Sequence, residues 1–270
     1  MTELCAVVLA AGEGVRLRPL TARVPKALCP VGNVPLLDLA LDRLARLGLA
    51  GPADVAVNAC YLADQVVAAV AGRAHLSVEP GPRPLGTSGG VARLRDWIGG
   101  RGVLVTNADA YLAGGDLTPL VAGWDGGSVR LLGVPGRRPE FGEHRFAGAS
   151  LLPWARVAAL PEEHGDLVRT VWRPAEAAGE LTVVEYAGTY LDTGTPRDYL
   201  AANLHAAGPE GLLVAPDATV TGDATEAVIG AGARVAGKIN RSVVWPGGYV
   251  GPDEYLTDAI RYGRSGTVTG

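Results

Sequence analysis

Lysine is nearly missing from this chain. Of its 24 lysines and arginines, only Lys26 and Lys238 are lysine. Cysteine is scarce as well: Cys5, Cys29 and Cys60 are odd in number and show no C-x-x-C spacing. That excludes a disulfide framework and a paired-cysteine metal site. It leaves three small apolar residues suited to a reducing cytosol. Net charge is only −4 at neutral pH, which gives no electrostatic case for a nucleic acid or a membrane surface as partner. No apolar run reaches membrane-spanning length, and no charged segment precedes a long apolar run at the N-terminus. The expectation is a soluble cytoplasmic protein. Apolar residues are plentiful, at 48% of 270, enough for one large domain or one domain plus a smaller one.

The pattern of the first hundred residues is alternating strand and helix. "LCAVVLA" (4–10) is a short continuous apolar run ending at a glycine loop, the mark of a buried parallel strand. "PLLDLALDRLARLG" (35–48) sets Leu36, Leu37, Leu41, Leu44 and Leu47 along one helical face before Gly48. A strand at 53–59, a helix at 62–72, a strand near "HLSVEP" and a helix from Thr87 to about Ile98 follow. "GVLVTNADA" (102–110) is then a strand running into Asn107 and Asp109. The fold class is α/β, a doubly wound, mostly parallel sheet. Ligands of such sheets bind outside the carboxyl ends of the strands, where both the Gly12 loop and Asp109 fall. Further on, "GDLVRTVWRPAEAAG" reads as a helix, as does 194–208, with Thr195 as N-cap and Pro196 in the first turn.

After Gly208 the pattern changes. Val214 and Val220 are six apart, as are Ile229 and Val235, and Val244 and Val250, often with glycine or proline following. That spacing suggests coils of a parallel β-helix of the left-handed, hexapeptide-repeat kind. The division expected is a catalytic domain over 1–206 and a β-helix-like tail over 207–270, with Val214, Val220, Ile229 and Val235 inside the coils. Such a tail suits subunit contacts, so a homo-oligomer is expected.

The chemistry gathers in "LAAGEGVRLRPLTARVPKALCPVG" (9–32). Successive backbone N–H groups of a glycine loop can point at one anion, and Gly12 and Gly14 follow a strand as that job requires. A dinucleotide fingerprint fails, because Leu17 stands where its third glycine belongs, and a Walker loop lacks its G-K-S/T. What remains is an anion nest followed by Arg16, Arg18 and Lys26, in a segment stiffened by Pro19 and Pro25. Arginine forks and a lysine point charge suit a polyphosphate. One of two lysines is spent at that position.

The stretch "GEGVRLRPLTARVPK" resembles the signature of sugar-1-phosphate nucleotidyltransferases, roughly G-x-G-x-R-L-x-P-L-T-x-x-x-P-K. Gly12, Gly14, Arg16, Leu17, Pro19, Leu20, Thr21, Pro25 and Lys26 all match. The resemblance continues through "PLGTSGG" (84–90), "TNADA" (106–110), "FAGASLLP" (146–153) and "YLDTGTPRDYLAAN" (190–203). It implies a Rossmann-like nucleotidyltransferase fold acting on an NTP and a sugar 1-phosphate with Mg²⁺. Arg16 would stabilise charge on the β- and γ-phosphates, and Lys26 would contact the transferred or sugar phosphate. Ala10, Ala11, Gly12 and Gly14, with Gly86 and Thr87, would line the nucleotide. Gly148 would lie close to the sugar. Asp109 and Asp192 resemble the two metal aspartates; for Asp192 a helix-capping role is the alternative.

One departure concerns the acceptor. Many members carry a Glu-Lys-Pro segment whose lysine grips the sugar phosphate. The stretch "GVPGRRPEFGEHRFAG" (133–148) has no lysine, leaving Arg137, Arg138 or Arg145 as substitutes, with Arg145 taken as the sugar-phosphate contact. "LGTSGG" resembles mannose-1-phosphate guanylyltransferases, which points to GTP and mannose 1-phosphate. "VNACYLADQV" resembles muramate- or N-acetylmuramate-1-phosphate uridylyltransferases. A thymidylyltransferase and a non-catalytic regulatory subunit of the same fold are the remaining readings. The last would be expected to have lost the loop cations or the aspartates, and this chain keeps them.

Overall fold

The computed structural model describes residues 3–136 and 138–270. Its contacts divide it into two compact units. One comprises Met1–Glu13, Pro25–Ala27 and Leu37–Tyr190; the other comprises Gly14–Val24, Leu28–Leu36 and Leu191–Gly270.

In the first unit the apolar runs make a seven-stranded sheet. Its order is Leu181–Glu185, Val129–Pro135, His144–Leu152, Gly102–Asn107, Leu4–Leu9, Val55–Ala59 and His75–Val78. All neighbours are parallel except those of His144–Leu152, which runs antiparallel to both strands beside it. Val7, Val8, Val57 and Leu104 are fully buried, as strands covered on both faces demand. Leu4–Leu9 has Val55–Ala59 on one side and Gly102–Asn107 on the other, so strand order reverses there. At its carboxyl end Leu9 lies beside both Asn58 and Asn107. Such a reversal leaves a crevice outside the strand ends, and the chain leaves from it into Ala10–Gly12 and, from the neighbouring strand, into Asp109.

Local details differ from the sequence expectation for physical reasons. The helix Leu36–Ala45 buries Leu36, Leu37, Ala40, Arg43 and Leu44, not Leu41. The buried i, i+3, i+4 stripe therefore keeps Leu36, Leu37 and Leu44 but takes in Ala40 and Arg43 in place of Leu41. The helix expected from Thr87 to Ile98 is two, Gly86–Arg93 and Arg95–Ile98, parted at Leu94. The helix expected over "GDLVRTVWRPAEAAG" is a π-helical turn, Val168–Trp172, followed by Arg173–Ala177 with Pro174 in its first turn. A proline has no N–H to give the preceding turn, and a widened turn before it is one way to seat it.

The second unit contains a hairpin, Pro30–Val31 with Val34–Pro35. Gly32 and Asn33 both have φ near +60° in its two-residue turn, the conformation favoured by the strand twist and open to these two residue types. The helix Pro196–Ala206 starts as the sequence indicates: the Thr195 hydroxyl accepts from the Asp198 N–H at 3.2 Å. This helix holds the hairpin by two side chains. The Tyr199 hydroxyl donates to the Pro30 carbonyl, and Asn203 Oδ1 accepts from the Gly32 N–H at 3.1 Å.

Most C-terminal strands of this unit form two parallel stacks, and the last, Gly266–Thr269, pairs antiparallel with Ala259–Tyr262. In one, Leu212–Val214, Asp223–Ile229 and Lys238–Val244 pair in turn, and Lys238–Val244 then pairs with Tyr255–Thr257 and Ala259–Tyr262. In the other, Thr219–Val220, Arg234–Val235 and Tyr249–Val250 pair. Val214, Ile229 and Val244 share one register line, and Val220, Val235 and Val250 another. The six-residue spacing thus leads from one stack to the other, while paired residues of neighbouring strands lie about 15 apart. Fifteen is not a multiple of six, which is why the six-residue phase slips along the sequence. Ile229, Val235, Val244 and Val250 are buried. Val214 is 38% exposed, contrary to its expected interior place, because it sits in the first strand of its stack. Glu226, Arg241 and Asp258 occupy equivalent positions along the neighbouring strands, each with φ near +46°. Arg241 bonds both carboxylates, at 3.1 and 2.9 Å.

Candidate active site

In the first unit Ala10–Gly12, Lys26 and Asp109 belong to one compact body. Leu4–Leu9 delivers Ala10 and Ala11, which are buried, and then Gly12, which is exposed. A Cβ at Gly12 would meet nothing within 4 Å, so the absent side chain leaves open space over the backbone, as close approach of a ligand requires. Asp109 follows Gly102–Asn107, and the Ala108 N–H donates to the Leu9 carbonyl at 3.0 Å, tying the two loops at their roots. Lys26 lies in a single turn of 3₁₀ helix, Lys26–Leu28, after Pro25. Its ammonium donates to Asp109 Oδ2 at 2.5 Å. The Lys26 side chain is 10% exposed and that of Asp109 36%. A nearly buried ammonium needs a fixed anionic partner, and here that partner is the expected metal carboxylate.

Arg43 holds the chain just after Asp109. Its Nη2 donates to the carbonyl of Ala110, next to Asp109, at 3.1 Å. Burial pushes its guanidinium down to about 10. Gly148, with φ +79°, lies so close that a Cβ there would stand 2.4 Å from Ala110 Cβ. The residue expected near the sugar is therefore glycine for two reasons, conformation and space. Arg145, three residues earlier, is exposed and lies along Gly136. Arg138 is exposed too; Arg137 lies outside the described residues.

In the second unit Gly14 adopts the left-handed conformation (φ 61°, ψ 35°), and its carbonyl accepts from the buried Thr21 hydroxyl at 2.7 Å. Arg16 follows in a short 3₁₀ turn and is 71% exposed at its side chain. Its Nη2 stands 3.7 Å from Asp192 Oδ2. Gly194 allows this pair: a Cβ there would lie 2.7 Å from Arg16 Nη2 and 3.0 Å from Asp192 Oδ1. The cap of the helix that follows is Thr195, so the capping alternative does not apply to Asp192. Each unit thus holds one expected cation against one expected metal carboxylate.

Gly86 and Thr87 open the helix Gly86–Arg93. Gly86 has φ +73°, and a Cβ on it would collide with the Gly165 carbonyl at 2.2 Å. The Thr87 hydroxyl accepts from the Leu167 N–H at 2.9 Å. Beneath this helix lies a polar pair to which the sequence reading assigned no role. Asn58 and Glu79, 2% and 4% exposed, hydrogen-bond to each other at 2.7 Å. The available signal was an asparagine inside the apolar strand "VAVNA" and a glutamate closing "HLSVE"; buried polar residues at strand ends ask for partners.

Comparison with known proteins identifies the family. The family model described as MobA-like NTP transferase domain matches residues 6–185. An N-acetylmuramate alpha-1-phosphate uridylyltransferase of Caulobacter vibrioides is 36% identical over 75% of this chain and 96% of its own length. The chain belongs to the sugar-1-phosphate nucleotidyltransferase family.

Other members of this enzyme family are similar to different extents. A Neisseria meningitidis protein with the same name is 38% identical, but the match spans 38% of this chain and 46% of that protein. A mannose-1-phosphate guanylyltransferase of Mycobacterium tuberculosis is 26% identical over 96% of this chain and 79% of its own. The crystal structure of a Thermus thermophilus protein named mannose-1-phosphate geranyltransferase has the same fold, with a TM-score of 0.66, 20% identity and coverage of 96% of this chain and 91% of that one. No helix among the described residues is long and apolar enough to cross a membrane.

Proposed function

We propose that this nucleotidyltransferase moves a nucleoside monophosphate from an NTP to a sugar 1-phosphate, releasing pyrophosphate. The observation that carries the reading is the Lys26–Asp109 pair beside the glycine loop, at the point where strand order reverses. The sugar phosphate oxygen attacks the α-phosphorus in line, and the bond to the β-phosphate oxygen breaks. Lys26 offsets charge on the transferred or sugar phosphate, and Arg16 offsets it on the β- and γ-phosphates. Ala10, Ala11, Gly12, Gly14, Gly86 and Thr87 bound the nucleotide, and Gly148 and Arg145 the acceptor. No side-chain nucleophile is needed: burial holds the Cys5 thiol up at about 11, far from an activated thiolate.

Asp109 and Asp192 are the carboxylates we assign to Mg²⁺. The donor chemistry fits, because Mg²⁺ takes one or two carboxylates and completes its shell with substrate phosphates and water. Among the described residues no cluster of three or more His, Cys, Asp or Glu forms a dedicated cage, and such a site does not call for one. Bound there, the ion would neutralise phosphate charge. With the carboxylates holding an ion, Lys26 and Arg16 would be free to meet phosphate oxygens.

Two substrate pairs lead. The identity of the Caulobacter and Neisseria relatives favours UTP with N-acetylmuramate 1-phosphate. "LGTSGG" and a guanylyltransferase match reaching over 96% of the chain favour GTP with mannose 1-phosphate. A pyrophosphate-release screen of the NTPs and dTTP against sugar 1-phosphates with Mg²⁺ tests the reaction and selects the pair. Turnover with no combination contradicts it.

We further read residues 207–270 as a short β-helix that follows a catalytic domain over 1–206 and serves contacts between copies, in a cytoplasmic homo-oligomer. Parallel stacking of its strands, with equivalent valines in line, supports the β-helix.

A further inference from the structure

Three hydrogen bonds cross the interior of the first unit in an unbroken line. The Ala10 N–H donates to Asn58 Oδ1 at 2.7 Å. Asn58 Nδ2 donates to Glu79 Oε1 at 2.7 Å. Glu79 Oε2 accepts from the Leu85 N–H at 2.7 Å. The backbone under the line is fixed as well: Asn58 lies beside Leu9 in the sheet, and the Glu79 N–H donates to the Ala59 carbonyl at 2.8 Å.

A carboxyl group and a carboxamide in an interior are costly unless bonded, and apolar residues of the same volume would fill the space without that cost. Their ends explain the choice. Ala10 begins the glycine loop, and Leu85 immediately precedes Gly86 and Thr87. The line therefore connects two backbone segments that are 75 residues apart in sequence and that both border the nucleotide in the proposed reaction. Gly90 keeps the line clear: a Cβ there would stand 2.6 Å from Asn58 Nδ2 and 3.0 Å from Glu79 Oε1.

We propose that Asn58 and Glu79 are positioning residues, a buried strut that sets the gap between the two backbone walls receiving the nucleotide base and ribose. The inference rests on the reading that Ala10–Gly12 and Gly86–Thr87 are those walls. Neither side chain need touch the ligand; the strut acts through the backbone at each end. Preformed spacing of this kind raises affinity by removing the ordering cost from the binding step.

The polarity of the line supplies its own test. In Glu79→Gln one end of the new amide is an NH₂ facing a donor, either Asn58 Nδ2 or the Leu85 N–H. In Asn58→Asp a carboxylate oxygen faces Glu79 Oε1. The double variant Asn58→Asp/Glu79→Gln restores every donor to an acceptor: Ala10 N–H and Gln Nε2 both donate to the aspartate, and Leu85 N–H donates to Gln Oε1. Full-length wild type, both singles and the double are titrated with UTP and with GTP in the presence of Mg²⁺, alongside thermal melts and steady-state kinetics. Each single variant is expected to weaken nucleotide binding about tenfold, the worth of one frustrated buried hydrogen bond. The loss appears in the KM for NTP and not in kcat, and the double variant recovers it. Singles that bind like wild type overturn the strut. So does a double variant that regains the wild-type melting point but not the affinity. A wild-type chain that binds neither nucleotide, nor any other NTP or dTTP in the same titration, overturns the reaction reading and the strut together.

Discussion

The Lys26 ammonium sits 2.5 Å from Asp109 Oδ2, so a residue expected to meet phosphate is bonded to one expected to meet metal. Arg16 and Asp192 repeat the relationship at 3.7 Å. Each cation neutralises a carboxylate here; in the proposed reaction both partners would have other work. The two members of a pair should therefore fail alike. Lys26→Ala and Asp109→Ala are each expected to lower turnover by about 10²–10³, the scale of losing one preorganised charge at a reacting phosphate, while circular dichroism stays that of wild type. Turnover of either variant within a few-fold of wild type contradicts the assignment.

Gly194 makes a sharper probe of the other pair, because its backbone tolerates alanine and only space forbids it. Gly194→Ala puts a methyl 2.7 Å from Arg16 Nη2 and must displace the guanidinium. Turnover is expected to fall about tenfold to a hundredfold, as small misplacements of catalytic groups do, with little change in melting temperature. A normal kcat with a lowered melting point would make Gly194 a packing residue only.

Tyr199 joins the hairpin that follows Lys26 to the C-terminal strands: it donates to the Pro30 carbonyl and accepts from Trp245 Nε1, the latter at 3.0 Å. Burial drives its phenol well above the ordinary range, so it stays protonated and keeps both roles. Tyr199→Phe leaves a buried N–H and a carbonyl without this partner and is expected to cost about 1–3 kcal/mol, a melting shift of about 2–4 °C per kcal/mol. An unchanged melting curve would mean that the hydroxyl does not secure the hairpin.

Cysteine labelling reads burial and charge together. Cys5 is fully buried and its thiol is raised by desolvation. Cys60 is partly exposed, and its thiol is raised by desolvation, then by Glu79 and Glu13. A raised thiol has less thiolate at any given pH, so alkylation of Cys60 should keep rising through and beyond the ordinary thiol range instead of levelling off there. Mass spectrometry after iodoacetamide at rising pH should find Cys60 modified and Cys5 intact in the folded protein. Early modification of Cys5 contradicts the fold around Leu4–Leu9.

Much of the candidate site can be proposed from the sequence because phosphate chemistry constrains residue type over a short stretch. The glycine loop, Arg16 and Lys26 lie within 15 positions of one another, and strand ends announced Asp109. Pairings made by folding were not legible. Lys26 meets Asp109 across 83 residues, and Asn58 meets Glu79 across 21. Nothing in a leucine stripe signals that Arg43 takes a buried position on the helical face. The tail's six-residue rhythm was visible, but its governing repeat of about 15 residues appears only when Val214, Ile229 and Val244 are found side by side.

The most direct test is pyrophosphate release by the full-length chain with Mg²⁺, comparing UTP plus N-acetylmuramate 1-phosphate with GTP plus mannose 1-phosphate, and with Lys26→Ala in parallel. The account predicts turnover with at least one NTP and sugar 1-phosphate, lost in Lys26→Ala. Absence of turnover across the full panel of nucleotides and sugar 1-phosphates, or turnover that Lys26→Ala retains, would contradict it.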